Sequence, residues 1–128
     1  LKRIGIDVKA NKIYYDNEFL YRFVETQNVK GGTGSVFGKS YFIAFKEPDG
    51  YFFVNRDELA SFMKENVDTS KIYRKFHPLK KYYLKQYRSH KHQNRKDIIV
   101  LVKLKDLYEM TYFKLFDDGR VEIHETSN

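Results

Sequence analysis

The sequence predicts an α+β domain in which a mostly antiparallel or mixed β-sheet carries one or two packed helices. Most of the chain consists of short runs of β-branched and aromatic residues separated by turn residues, which is typical of strands. Two segments, at about residues 55–67 and 78–90, have the apolar spacing of helices instead. No repeat or linker interrupts the chain, so we expect residues 1–128 to form a single domain.

Three strands are predicted in the N-terminal part. Ile4, Ile6 and Val8 alternate with polar residues, which is the pattern of a strand with one buried face. The runs KIYY and EFLYRFVET follow, and Asp16-Asn17 between them favours a hairpin turn. The glycine-rich stretch VKGGTGSVFG is predicted to form a flexible loop or the end of a hairpin.

A hairpin followed by a helix is predicted in the centre of the chain. The runs KSYFIAFKE and GYFFVN flank Pro-Asp-Gly, in which proline fixes φ and glycine accepts a positive φ. The helix of about residues 55–67 comes next, with Asn55 as its cap and Glu58 three residues later, as in a capping box. Its apolar face consists of Leu59, Phe62 and Met63.

The second helix is predicted to begin at about Pro78, because proline suits a first helical turn, and to end near His90. At about 100° per residue, one arc of this helix is rich in tyrosine and is predicted to dock on the sheet. That arc contains Leu79, Tyr82, Tyr83, Gln86, Tyr87 and His90. The opposite arc is cationic and is predicted to face solvent, with Lys80, Lys81, Lys85, Arg88 and Lys91.

The C-terminal part predicts three more strands. DIIVLVKL is a continuous apolar run, which indicates a buried strand. MTYFKLF and RVEIHE are joined by DDG and are predicted to form a terminal hairpin.

The composition indicates a folded core and narrows the class of protein. Apolar residues make up 41% of the chain and aromatic residues 17%, which excludes a disordered tail. The chain has no cysteine, so disulfides, thiolate metal sites and cysteine nucleophiles are excluded. The lack of disulfides and of a long apolar run predicts a cytoplasmic protein with no membrane segment. The Lys- and Tyr-rich composition suits a phage or other mobile-element protein.

The net charge of +7 is concentrated in one part of the chain. The 28 residues between Asp68 and Asp97 contain ten lysines and arginines and no carboxylate. The other 100 residues carry 14 basic and 17 acidic side chains, a net charge of −3. The chain is therefore slightly acidic apart from one strongly positive segment.

This segment, residues 71–96, predicts a polyanionic partner. Like charges held together cost stability unless a polyanion neutralises them, and phosphate backbones are the commonest polyanions. We therefore expect a non-catalytic protein that binds DNA or RNA, with tyrosines that would stack on unpaired bases wherever they face outward. The candidate binding residues are Arg74, Lys75, Lys80, Lys81, Tyr82, Lys85, Tyr87, Arg88, Lys91, Arg95 and Lys96.

An acidic protein surface would neutralise the same charges. The high tyrosine content favours this alternative, a protein–protein interaction module or inhibitor, because tyrosine is enriched at interfaces. An anionic membrane is not expected as a partner, because the apolar arc of the second predicted helix lacks the Leu, Phe and Trp that insert into lipid.

A further alternative is an enzyme. In RIGIDVKA, Asp7 and Lys9 lie two positions apart on a predicted strand, so they share a face. This Asp-x-Lys arrangement resembles the second half of the PD-(D/E)XK nuclease motif. The resemblance implies Mg²⁺-dependent phosphodiester hydrolysis, in which acids bind the metal and the lysine orients or activates water. Only six residues precede Asp7, so a further acid would come from elsewhere, such as Asp16 or Glu18.

No other cofactor is expected. GGTGSVFGKS is similar to a phosphate-binding loop, but Thr33 stands where that motif requires glycine, and a strand is predicted where the motif requires a helix. Mg²⁺ is therefore expected only if the nuclease alternative holds.

Overall fold

The computed structural model describes residues 6–9, 13–15, 20–27, 31–77, 79–87 and 96–126. Within these residues the chain forms ten strands in two five-stranded sheets, one helix of eleven residues and a second helix of four. The predicted α+β class is confirmed.

The elements follow one another along the chain as short strands interrupted by the two helices. The strands are β1 (Ile6–Lys9), β2 (Ile13–Tyr15), β3 (Leu20–Gln27), β4 (Phe42–Glu47), β5 (Gly50–Asn55), β6 (Asp68–Tyr73), β7 (Tyr83–Gln86), β8 (Ile98–Lys103), β9 (Tyr112–Phe116) and β10 (Val121–His124). The helices are α1 (Arg56–Asn66) and α2 (Leu104–Leu107), and a 3₁₀ turn covers Ser35–Phe37.

The first sheet has the strand order β1-β4-β5-β9-β10. It contains two of the three predicted hairpins, β4–β5 and β9–β10, joined through the antiparallel pair β5–β9, while β1 runs parallel to β4. Gly50 begins β5 with φ +152°, and a Cβ atom there would lie 2.1 Å from the carbonyl oxygen of Leu115 on β9. Glycine at this position lets the two hairpins approach each other.

The second sheet has the strand order β2-β3-β8-β7-β6. The predicted strands KIYY, EFLYRFVET and DIIVLVKL are confirmed as β2, β3 and β8, which pair antiparallel in that order. β7 pairs antiparallel with β8 and parallel with β6, so β6 lies at one edge of this sheet.

The core lies between the two sheets. Inner-face residues of the first sheet, such as Phe45 and Phe52, form one buried cluster with Val24, Val100 and Val102 of the second sheet. The predicted helix at about residues 55–67 is confirmed as α1 and adds its apolar face to this cluster. The glycine-rich stretch contributes as well, because its 3₁₀ turn places Val36 in the same core.

The cap of α1 forms, but the predicted capping box is only half present. The Oδ1 atom of Asn55 accepts a hydrogen bond from the backbone N–H of Glu58 at 2.9 Å. The backbone N–H of Asn55 donates to the carbonyl oxygen of Thr111, so it does not need the carboxylate of Glu58. That carboxylate accepts instead from the backbone N–H of Thr111 and the hydroxyl of Thr126, which ties the C-terminal residues to the helix.

The helix predicted at about residues 78–90 is wrong in the described part of that segment. Residues 79–82 form turns and bends, and Tyr83–Gln86 form β7. The side chain of Tyr82 is buried between the sheets, whereas that of Tyr83 packs against Tyr73 on the outer side of the second sheet. Successive side chains on opposite faces are the geometry of a strand, and pairing with β6 and β8 outweighs the local helical pattern. Leu79, predicted to dock, is 98% exposed.

Candidate functional site

The described part of the positive segment lies on the edge strand β6 of the second sheet, on its neighbour β7, just before β8 and on the crossover that connects β6 to β7. Because β6 and β7 are parallel, residues 74–82 return from the end of β6 to the start of β7. Phe76 of this crossover packs edge-on against Tyr21 of β3, with ring centroids 5.6 Å apart. The crossover therefore runs over the outer face of the second sheet, whose apolar residues Ile99 and Leu101 it helps to cover.

Seven of the ten cations of the segment lie in described residues, and we call them the basic surface. Lys71 is on β6, and Arg74, Lys75, Lys80 and Lys81 are on the crossover. The other two lie along the neighbouring strands, Lys85 on β7 and Lys96 just before β8. Lys71, Arg74, Lys75, Lys81 and Lys96 are exposed, and Lys80 and Lys85 are partly buried.

The seven cations differ in whether their charged groups contact other side chains of the protein. The ammonium group of Lys80 lies 2.6 Å from Oδ2 of Asp68 and 5.1 Å from the ring centroid of Tyr73. Hydrogen bonds from Lys80 and Ser70 hold the pKa of Asp68 below its ordinary value, and the bond to Asp68 raises the pKa of Lys80. Lys80 is therefore engaged in an ion pair within the fold, whereas Arg74, Lys75 and Lys81 extend into solvent.

Two aromatic side chains belong to this surface although they were not predicted from the sequence. Tyr73 lies between two cations, with Lys71 4.9 Å and Lys80 5.1 Å from its ring centroid. The exposed ring of His77 packs edge-on against Tyr73 at 4.8 Å. The spacing Lys71-x-Tyr73 could have indicated that Tyr73 lies beside a cation, because residues two apart on a strand share a face.

Tyr82 and Tyr87, which were predicted as binding residues, pack against other side chains of the protein. Tyr82 is 3% exposed, and its hydroxyl donates to Asp106 and accepts from the backbone N–H of Lys103 at 3.1 Å. Burial and the bond to Asp106 raise the pKa of Tyr82. Tyr87 packs against Phe23 with ring centroids 6.0 Å apart. The ring of Tyr82 is thus part of the core and not of the basic surface, and Tyr87 is partly buried.

Three predicted binding residues, Arg88, Lys91 and Arg95, lie outside the described residues. They stay predictions from the sequence.

Asp7 and Lys9 lie on β1, at an edge of the first sheet, where the backbone register sets them opposite Ile43 and Phe45. Asp16 and Glu18, suggested as further acids, are outside the described residues. Within the part of the chain that the structure describes, no group of three or more His, Asp or Glu side chains is placed to hold a metal ion. The nuclease alternative stays a hypothesis from the sequence.

No protein-family model, curated protein or solved structure matches the chain. Among the described residues, neither helix has the length and apolar content needed to cross a bilayer. The function has to be inferred from the side chains of the basic surface.

Proposed function

We propose that the protein is a non-catalytic nucleic-acid-binding protein that grips the phosphate backbone with its basic surface. The observation that carries the proposal is the clustering of seven described cations on the edge strand β6, its crossover and the neighbouring strands, in a stretch with no carboxylate between Asp68 and Asp97. Each phosphate that such cations neutralise releases counterions, which favours binding at low salt.

The shape of this region supports an extended ligand. β6 has six residues, so at about 3.3 Å per residue the edge is roughly 20 Å long. Exposed cations lie both on β6 and on the crossover beside it, so a phosphate backbone along the edge would meet them in succession. Tyr73 and His77 offer aromatic rings in the same region, which favours a ligand with unpaired bases.

The test is fluorescence anisotropy with labelled single- and double-stranded DNA and RNA over a salt series. The variant Arg74→Gln with Lys75→Gln removes two exposed cations and leaves the Lys80–Asp68 pair intact. We expect the wild-type log–log salt slope to be steep. The slope of the variant is expected to fall by about 0.7 to 0.9 for each phosphate that it no longer neutralises.

The matched control is Lys39→Gln with Arg120→Gln, which removes one exposed lysine and one exposed arginine outside the basic surface. This control is expected to keep the wild-type slope. If wild type binds none of the four probes at low salt, or if the slope falls equally in both double variants, the proposal is wrong.

A further inference from the structure

The outer face of the first sheet is apolar and aromatic. Residues paired in register share a face, and the pairs of β5, β9 and β10 place Phe53, Phe113 and Ile123 in one row and Leu115 and Val121 in the next. Phe42 of β4 joins them, with its ring centroid 5.1 Å from that of Phe113. We call these six residues the apolar face.

The described residues leave the apolar face uncovered at its β10 side. Leu115 is 42% exposed, Val121 57% and Ile123 71%. By contrast, Phe76 of the crossover and Tyr87, just after β7, pack on the outer face of the second sheet. A sheet normally buries each apolar face against another layer, so an uncovered one indicates an interaction surface.

Charge decides what kind of partner fits. Of the described side chains on this face of β4, β5, β9 and β10, Lys46 is the only charged one, and it lies over the ring of Tyr51 at 4.6 Å. An acidic or basic partner would gain no ion pair here beyond that rim position. A surface that is itself uncharged and apolar is the matching partner, and a second copy of this chain provides one.

The positive charge does not oppose such pairing. The basic surface belongs to the second sheet, on the far side of the core from the apolar face. Two copies joined through their first sheets would hold their basic surfaces apart, at the two ends of the assembly.

The size of the face agrees with a weak dimer. The apolar face lies on four strands about 4.8 Å apart, each four to six residues long at about 3.3 Å per residue, which gives a flat footprint of roughly 330 Å². This is below the roughly 500 Å² per partner that a stable specific interface needs, so we expect association that depends on protein concentration. We propose that two copies of the chain associate face to face through the apolar face of the first sheet.

The test is sedimentation equilibrium of the full chain from about 1 to 200 µM, the range in which a footprint of this size should dissociate. Wild type is expected to shift from the mass of one chain to twice that mass. Ile123→Lys is expected to raise the dissociation constant about 100-fold or more, because a two-fold dimer would bury the new charge twice. The exposed site on an edge strand tolerates lysine in the single chain.

Leu115→Lys is a second variant within the face, and Leu79→Lys on the crossover is the matched control with the same change of charge. Circular dichroism checks that each variant is folded. The proposal is overturned if wild type keeps the mass of one chain throughout, in which case a different protein is the occupant to seek. It is also overturned if Leu79→Lys weakens the dimer as much as Leu115→Lys does.

Discussion

One side chain, that of Glu58, holds the terminal hairpin to the centre of the chain. The carboxylate of Glu58 on α1 accepts hydrogen bonds from the backbone N–H of Thr111 at 3.2 Å and from the hydroxyl of Thr126. Thr111 and Thr126 also bond to each other through their hydroxyls at 2.8 Å. One carboxylate therefore joins the first helix to both segments that flank the terminal hairpin.

Glu58 makes the stability of the fold depend on pH. Burial alone would raise the pKa of Glu58, but the hydrogen bonds from Thr126 and Thr111, with the charge of His124, outweigh it and lower the pKa below 4.5. A carboxylate with a lowered pKa stabilises the fold above its unfolded pKa, and this stabilisation is lost as the pH falls through the folded pKa.

We therefore expect Glu58→Gln to lower the free energy of unfolding by about 1 kcal/mol near pH 7, and by progressively less as the pH falls below about 4.5. Urea unfolding of wild type and variant at several pH values between about 7 and 3 measures the difference. Glu109→Gln is the control, because that side chain is exposed. A difference that stays constant over this range contradicts the assignment.

At the scale of elements, two hairpin turns use glycine under different constraints. Gly50 has φ +152°, and an added Cβ atom would lie 2.1 Å from the carbonyl oxygen of Leu115 and 2.9 Å from the Cα of Phe116. Gly119 has φ +89°, with nothing within 4 Å of an added Cβ atom. At Gly50, both the backbone conformation and the lack of space disfavour a side chain. At Gly119, only the backbone conformation does.

Gly50→Ala is therefore expected to lower the free energy of unfolding by more than about 2 kcal/mol, and Gly119→Ala by about 1 kcal/mol. The larger loss of unfolding free energy is expected at Gly50 because backbone atoms of β9 lie next to it and cannot move without separating the two hairpins. Urea unfolding of the two variants gives the comparison. Equal effects would mean that β9 can yield, contrary to the close approach of its backbone to Gly50.

The elements also separate what the sequence could predict from what it could not. Strands, turns and the cap of α1 follow from local patterns, so β1 to β5, α1 and β8 to β10 were predicted. The segment around Tyr82 and Tyr83 has a helical period, yet Tyr83–Gln86 form a strand because β8 pairs with them, and a local pattern does not show a partner that begins 12 positions later. The positive charge of the site could be predicted from the sequence. Its position on an edge strand could not, and neither could the position of the Tyr73 ring between Lys71 and Lys80.

At the scale of the whole molecule, one ion pair crosses between the sheets. Arg22 of β3 and Glu47 of β4 are both buried, and the guanidinium donates to the carboxylate from Nε at 3.1 Å and from its terminal nitrogen at 2.7 Å. Another terminal nitrogen donates to the carbonyl oxygen of Tyr21. The two charges are buried together, so removing one partner would leave a buried charge without its counter-ion.

Glu47→Ala is expected to lower the free energy of unfolding by about 3–5 kcal/mol for this reason. The double variant Arg22→Met with Glu47→Leu is expected to be less destabilised than Glu47→Ala alone, because it leaves no charge behind. Urea unfolding measures both, and Asp118→Ala, which removes the exposed pair with Arg120 and the hydrogen bond from the backbone N–H of Arg120, serves as the control with a much smaller effect. A double variant at least as unstable as Glu47→Ala would refute the explanation.

The strand order also bears on how the chain folds as it is synthesised. Phe23 and Leu101 lie opposite each other at the centre of the second sheet although 78 positions separate them in the chain. β6 and β7 reach β3 only through β8, so the positive edge has no sheet to join until residues 98–103 have left the ribosome. Contacts between such distant segments slow folding, and until they form the nascent chain carries its positive segment on an incomplete structure.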